Sequence, residues 1–281
     1  MHLGMVSLTV ADLTRSLRFY GDMLGFSSIE RGGTAVLLSA GGAPLLELVE
    51  QPGVKPKPPR TTGLYHFAIL VPSRADLARS LRRLAEMRWP LQGAADHLVS
   101  EALYLADPDG NGIEIYRDRP RAQWPLRDAQ VQMATDPLDV KGVLGELSQD
   151  DRVWNGLPAG TTIGHIHLHV ADLRQAEEFY CGVLGFDVMQ RGYPGALFVS
   201  AGGYHHHVGL NIWAGSGAPP QPAGTAGLRH YSVVLPDFSS LEGLLDRLKA
   251  ARIPVEQRQD GWFLRDPSHN GLRLIAGEEA V

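Results

Sequence analysis

The sequence predicts an α+β protein in which one βαβββ module is written four times, and three observations carry that expectation. VADLTRSLRFYGDMLGF at residues 10–26 returns as VADLRQAEEFYCGVLGF at 170–186, an offset of 160 residues from Asp12 to Asp172. SAGG at 39–42 returns at 200–203, and DPDGNGIEI at 107–115 returns as DPSHNGLRL at 266–274. Each half then divides again into one helical and several strand-like segments, and such self-similarity fixes an architecture before any local assignment.

In the first module Val6, Leu8 and Val10 alternate as a strand. Asp12 is a good helix N-cap. Leu13, Leu17, Tyr20 and Leu24 recur at helical spacing, and Gly25 stands where a C-terminal stop is expected. Strand-like runs follow at 27–31, 35–39 and 45–50. The second module repeats the order with a strand at 65–71 and a helix at 73–87, which places Leu77, Leu81 and Leu84 on one face. Its later strands are expected at 97–99, 103–106 and 112–116. The third module opens on GHIHLHVADL, where Ile166, Leu168 and Val170 alternate with His165, His167 and His169. A strand there buries an aliphatic face and turns three imidazoles the other way.

Residues 119–160 interrupt the repeat, broken by Pro120, Pro125, Pro137 and Pro158, with one short helix expected at 140–147. A segment of that length reads as a connector between an N-terminal domain, 1–118 (modules one and two), and a C-terminal domain, 161–281 (modules three and four). KPKPP at 55–59 and APPQP at 218–222 mark the joints inside each half.

Composition bounds the function. With 44% apolar and 20% charged residues, the chain has enough apolar content for two buried cores. A formal net charge of −5, with no basic block, argues against a nucleic-acid partner. No apolar run is long enough to span a bilayer, and no leader-like segment opens the chain, so a cytoplasmic protein is expected. The single cysteine, Cys181, forms no internal disulfide and reads as a packing residue. His66 in GLYHFAILV, Glu114 in DPDGNGIEIY, the 165–169 run and His205, His206 and His207 in GGYHHHVGLN suggest a metal cup more than a hydrolytic triad.

Paired βαβββ modules with V-x-D-L…FY…LGF and DPDGN-x-IEI resemble the vicinal oxygen chelate superfamily of glyoxalases, bleomycin-binding proteins and type I extradiol dioxygenases. YHFAIL, VSEALYLADPDGNGIEIY and GGYHHHVGLN resemble its bacterial catechol 2,3-dioxygenase branch. The resemblance implies modules paired into two cup-shaped mixed-sheet domains, with a metal held by the first and last strands of each module. Alternation can be tested against that frame. Tyr65, Phe67, Ile69 and Val71 form an aliphatic, helix-packed face, which leaves His66 on the cup face. Ile113 and Ile115 leave Glu114 and Tyr116 there; module one offers Met5, Ser7 and Thr9, and module four offers His230, Ser232 and Arg273.

Modules three and four would pair His165 and His230 with Arg273, which has no lone pair to give. Modules one and two would pair His66 and Glu114 with Met5, a thioether that prefers softer ions than Fe(II). Modules two and three supply His66, Glu114 and His165, a complete two-histidine, one-carboxylate set. Taken singly, His66 is an ordinary strand histidine; the joint placement singles it out. By resemblance the ion is Fe(II), although Mn(II) accepts the same ligands. His206 falls at the family's acid–base histidine, Tyr104 at its substrate-side tyrosine, and His97 is a further polar neighbour. His167 and His169 read as cup lining.

The resemblance therefore implies extradiol cleavage of a small aromatic diol by dioxygen. Two rivals stand beside it: a glyoxalase-like isomerase or lyase with Glu47 as its base, and a drug-sequestering protein with a metal-free cup. Cross-pairing also resembles the four-module single-chain glyoxalases, and it can arise within one chain or across a homo-oligomer.

Overall fold

The computed structural model describes residues 1–127, 130–148 and 154–277. Module one contains β1 (His2–Val10), α1 (Leu13–Leu17), β2 (Ser27–Gly32), β3 (Ala35–Ser39) and β4 (Leu46–Glu50). Module two contains β5 (Gly63–Leu70), α2 (Arg74–Glu86), β6 (Gly93–Asp96), β7 (Ser100–Ala106) and β8 (Gly112–Asp118). The connector holds the short strands β9 (Leu126–Arg127), β10 (Gln130–Val131) and β11 (Asp136–Pro137), and the helix α3 (Val140–Gly145). Module three follows with β12 (Thr162–His169), α4 (Leu173–Glu177), β13 (Asp187–Gln190), β14 (Ala196–Ser200) and β15 (Val208–Asn211). Module four contains β16 (Gly227–Leu235), α5 (Phe238–Ala250), β17 (Glu256–Arg258), β18 (Gly261–Arg265) and β19 (Gly271–Ala276).

Hydrogen bonding joins the modules across the sequential halves. One sheet runs β17-β18-β19-β16-β1-β4-β3-β2 and takes modules four and one. The other runs β11-β6-β7-β8-β5-β12-β15-β14-β13 and takes modules two and three. The seam of each is an antiparallel pair of first strands, β1 with β16 and β5 with β12. Modules two and three thus pair within one chain, and each sheet draws one module from 1–118 and one from 161–281. Side chains tie the halves internally instead. Tyr20 donates to Asp107 Oδ2 at 2.9 Å, and Tyr180 donates to Asp266 Oδ2 at 3.0 Å, with all four residues buried. The repeated FY and DP motifs are therefore two halves of one lock. The same aspartates also accept the backbone N–H groups of residues 109 and 111, and of 268 and 270, closing the turn before each last strand.

Local chemistry explains most elements. Asp12 caps α1 through Arg15 N, Ser73 caps α2 through Asp76 N, and Asp172 and Asp237 cap α4 and α5. The helix expected from Leu13 to Leu24 widens into a π-helical stretch, Arg18–Met23, and module three repeats this at Glu178–Val183. In each, the amide of the residue after the stretch reaches back five positions, Leu24 to Phe19 and Leu184 to Phe179, both at 2.9 Å. The wide turn coincides with the buried Tyr20 and Tyr180.

Two local expectations are corrected. Residues 97–99 are not a strand but the turn between β6 and β7, where Leu98 adopts φ 67 and its amide donates to Asp96 Oδ1. An aspartate that captures the amide two residues on favours a turn over ladder pairing. Tyr65 does not share the helix-packed face of Phe67, Ile69 and Val71: it is 41% exposed while those three are buried. The β5–β12 register shifts between His167 and Leu168, beside Tyr65, and one shifted residue is enough to break alternation.

The connector does more than connect. β11 pairs with β6 and becomes the edge of the module two–three sheet, and Met133, Ala134 and Thr135 form part of a cavity wall. Its expected helix is present as α3; residues 149–153 lie outside the described residues. Among the described residues, no helix is long and apolar enough to cross a membrane. Burial pushes the half-buried Cys181 thiol up to about 11, which suits a packing residue.

Candidate metal centre

Three adjacent strands build the centre of the second sheet. Ala68 on β5 lies opposite Glu114 of β8 on one side and His165 of β12 on the other. His66 precedes Ala68 by two residues on the same face, and Ile166, Leu168 and Val170 are fully buried on the opposite face of β12. The alternation read from GHIHLHVADL is thus present in the fold. A methyl side chain at Ala68 leaves the floor between the three larger groups open.

His66 Nε2 and His165 Nε2 each lie 3.0 Å from Glu114 Oε2. One donor atom from each of the three residues lies within 4.8 Å of the others, and all three residues are buried. Donors about 2.1 Å from one ion and at right angles to each other stand ~3.0 Å apart. His66 Nε2 is buried and faces the carboxylate without making a hydrogen bond. An unpartnered buried imidazole nitrogen aimed at a carboxylate oxygen is costly on its own and is what a metal ligand looks like without its ion. The residues fit a divalent cation.

Protonation favours the ligand forms. Burial opposes ionisation of Glu114, but the imidazoles of His165 and His66 outweigh it and hold the carboxyl well below its usual range. Burial holds His165 below the ordinary histidine value, against the pull of Glu114. A carboxylate and neutral imidazole lone pairs are what first-row divalent ions bind.

Around this set lies a cavity of about 310 Å³. His206 lines it, with its ring 4.2 Å from that of His165 between centroids. Burial first, then the neighbouring histidines, drive His206 well below the ordinary value, so it stands neutral. Tyr104 also lines the cavity, and its hydroxyl lies 2.5 Å from His97 Nε2. His97 Nδ1 lies 2.6 Å from the carbonyl of Ala134, which only accepts, so Nδ1 carries the proton and Nε2 accepts from Tyr104. Burial and the charge of Glu114 push the Tyr104 phenol well above its usual value and keep it neutral. His167 lines the cavity, whereas His169 contacts Asn211 Oδ1 at 2.7 Å.

The other expected positions lie in the other sheet. Ser7 pairs with His230, and Ser232 pairs with Arg273. Arg273 donates to Ser232 Oγ at 3.0 Å and to Asp260 Oδ2 at 2.8 Å, which fills the place a carboxylate would need. Glu47 accepts from Ser7 in that same sheet. His230 is pushed down to about 4 by burial and then by Arg273. Among the described residues, the cluster able to hold an ion is the one in modules two and three.

Sequence reasoning missed the aromatic wall of Tyr65, Tyr193, Phe198 and Trp213, and a polar network behind His206 formed by His205 and Asp118. Asp118 follows Glu114 and Tyr116 at two-residue steps on β8, so strict alternation carried a signal for it.

The Glyoxalase/Bleomycin resistance protein/Dioxygenase superfamily model matches residues 2–115 and 162–274. The chain is 47% identical over 271 residues to a Bacillus subtilis (strain 168) protein named catechol-2,3-dioxygenase, covering 95% of this chain and 94% of that one. Its fold resembles glyoxalase I of Zea mays, with a TM-score of 0.59 and 16% identity over 98% of this chain and 92% of the other. It also resembles the cppA protein of Streptococcus pneumoniae, with a TM-score of 0.56 and 11% identity over 99% and 98%. At those identities the solved structures speak for the fold alone.

Proposed function

The chain belongs to the Glyoxalase/Bleomycin resistance protein/Dioxygenase superfamily, and from that premise we propose that it is an Fe(II)-dependent extradiol dioxygenase that cleaves catechol or a substituted catechol. The observation that carries this reading is the convergence of His66, Glu114 and His165 on one point beside a cavity walled by aromatic rings. The name of the 47%-identical relative supports the same activity.

His66, Glu114 and His165 would hold the ion, with Mn(II) the other ion this set accepts. Held there, Fe(II) would supply a net positive centre able to bind a vicinal diol and dioxygen. The remaining work belongs to the chain. His206, neutral and at the cavity wall, takes a proton from a substrate hydroxyl and later returns it to the product. Tyr104 donates its O–H hydrogen bond to His97 Nε2, so its oxygen lone pair is left to accept a hydrogen bond from the other substrate hydroxyl. Trp213, Phe198 and Tyr193 line the cavity where the substrate ring would lie.

No lysine or arginine is among the described residues lining the cavity. A carboxylate on the ring would enter beside Glu114 with no cation to meet it, which costs more than an alkyl group would. The substrate class is therefore a catechol with neutral substituents. A glyoxalase-like base at Glu47 lacks support, because that residue bonds Ser7 in the other sheet. A metal-free drug cup would leave His66 Nε2 buried against Glu114 without a hydrogen bond.

The test is turnover by anaerobically iron-loaded protein on admission of oxygen. Catechol and methylcatechols should give products absorbing in the visible, and 3,4-dihydroxybenzoate should be turned over at least ~10-fold more poorly in kcat/KM, as expected for an unpaired buried charge. Failure across the whole panel would refute the activity. Preference for the carboxylated ring would refute the substrate class.

A further inference from the structure

We propose that Asp118 and His205 are positioning residues that hold His206 as its Nδ1–H tautomer, with a bare Nε2 left for the cavity. The proposal rests on the acid–base role given to His206 above.

The assignment follows from which groups can donate. His205 is fully buried, and its Nε2 lies 2.8 Å from Asp118 Oδ1. A carboxylate only accepts, so Nε2 of His205 carries the proton, and a neutral ring then has its lone pair at Nδ1. That Nδ1 lies 2.7 Å from Nδ1 of His206. Two nitrogens at this distance share one proton, so His206 Nδ1 is the donor. His206 lines the cavity, and the nitrogen not engaged is Nε2. It is the one able to receive a proton from a substrate hydroxyl.

The supporting groups are held on both sides. Tyr204 donates to Asp118 Oδ2 at 2.9 Å, and Tyr116 contacts the Tyr204 hydroxyl at 2.7 Å. The His205 ring lies against Tyr204, tilted, with centroids 4.1 Å apart, and Trp124 of the connector meets it edge-on at 5.2 Å. When the substrate O–H proton moves to His206 Nε2, the ring becomes an imidazolium. Its Nδ1–H then points at the His205 lone pair, with the Asp118 carboxylate beyond. The cation is stabilised by these two groups, and the same proton leaves again from Nε2, so no proton is consumed. A carboxylate that fixes the tautomer of a catalytic imidazole has large leverage on rate and little on binding.

The test has two arms. In protein labelled with ¹⁵N-histidine and loaded with diamagnetic Zn(II), His206 should show a protonated Nδ1 and a bare Nε2. Asp118→Asn should mix or reverse the two forms. In the iron-loaded enzyme, Asp118→Asn and His205→Phe should each lower kcat by about 10²-fold, with KM within about threefold and iron content unchanged. A wild-type His206 protonated at Nε2 would overturn the proposal, as would an Asp118→Asn enzyme with unchanged kcat. The tautomer arm on the parent protein needs no turnover, so it still decides if either variant fails to fold. It also separates this proposal from the dioxygenase reading, which fails instead when wild-type protein cleaves no catechol.

Discussion

The two sheets are the same backbone device with different contents. In the sheet of modules two and three, His66 pairs with His167, and Ala68 pairs with Glu114 across β8. In the sheet of modules one and four, the matching pairs are His230 with Ser7 and Ser232 with Arg273. Register is preserved, so each side chain of one cup has a counterpart in the other. Glu114 becomes Arg273, Ala68 becomes Ser232, and His165 becomes Met5. The first change replaces an anion with a permanent cation. The second supplies a hydroxyl that holds this cation in place. The third replaces an imidazole with a thioether. The scaffold sets where groups meet, and these three side chains separate the cup that offers a two-histidine, one-carboxylate set from the cup that does not.

The comparison breaks most visibly at its carboxylate. Glu114→Ala should empty the metal site and remove turnover by at least about 10³-fold, since two imidazoles alone bind an open Fe(II) site poorly. His230→Ala, in the other cup, should leave iron content and kcat within about twofold. Metal analysis of both variants beside the parent checks this, and equal iron loss in the two would erase the distinction between the cups.

A smaller effect sharpens the roles inside the cup of modules two and three. His206→Phe should keep its iron and lose about 10²–10⁴-fold in kcat, the range for removal of a general acid–base group. Iron loss in that variant would make His206 a ligand instead.

The smallest effect tests what the cups share. Tyr20→Phe removes one buried hydrogen bond, to Asp107, whereas Tyr180→Phe removes the bond to Asp266 together with the one its hydroxyl accepts from Tyr231. Each should cost about 1–3 kcal/mol, measured by denaturant unfolding, because the carboxyl left behind stays buried. A cost at both tyrosines, the larger at Tyr180 because Tyr231 also loses its partner, would show that the two halves are locked alike, whereas a cost at one tyrosine only would show that the repeat has diverged in its frame as well as in its sites.

Much of this was legible in the residues. The 160-residue repeat gave the modules, and alternation around His165 and Glu114 gave the faces, because a half-buried strand writes its two sides separately. Eliminating Arg273 and Met5 as ligands pointed to cross-pairing, which is how the sheets are joined. What stayed hidden depends on contacts distant in sequence. Tyr65 turns to the cavity beside a register shift that no local pattern announces. The wide turns at Tyr20 and Tyr180 coincide with bonds to Asp107 and Asp266, more than eighty residues away. Asp118 hides at the end of β8, two residues past Tyr116, where the aliphatic alternation of Ile113 and Ile115 has already stopped and the connector begins. The connector itself reads as a linker by its prolines, yet Ala134 orients His97 and Trp124 covers His205.

The most direct measurement is anomalous diffraction at the iron edge from crystals of the Fe(II)-loaded protein. One strong peak should lie among His66 Nε2, Glu114 Oε2 and a His165 nitrogen, about 2.0–2.2 Å from each, as in comparable first-row sites. No peak should fall near Met5, His230 and Arg273. Iron bridging His165 and His230, or seated in the cup of modules one and four, would contradict the account.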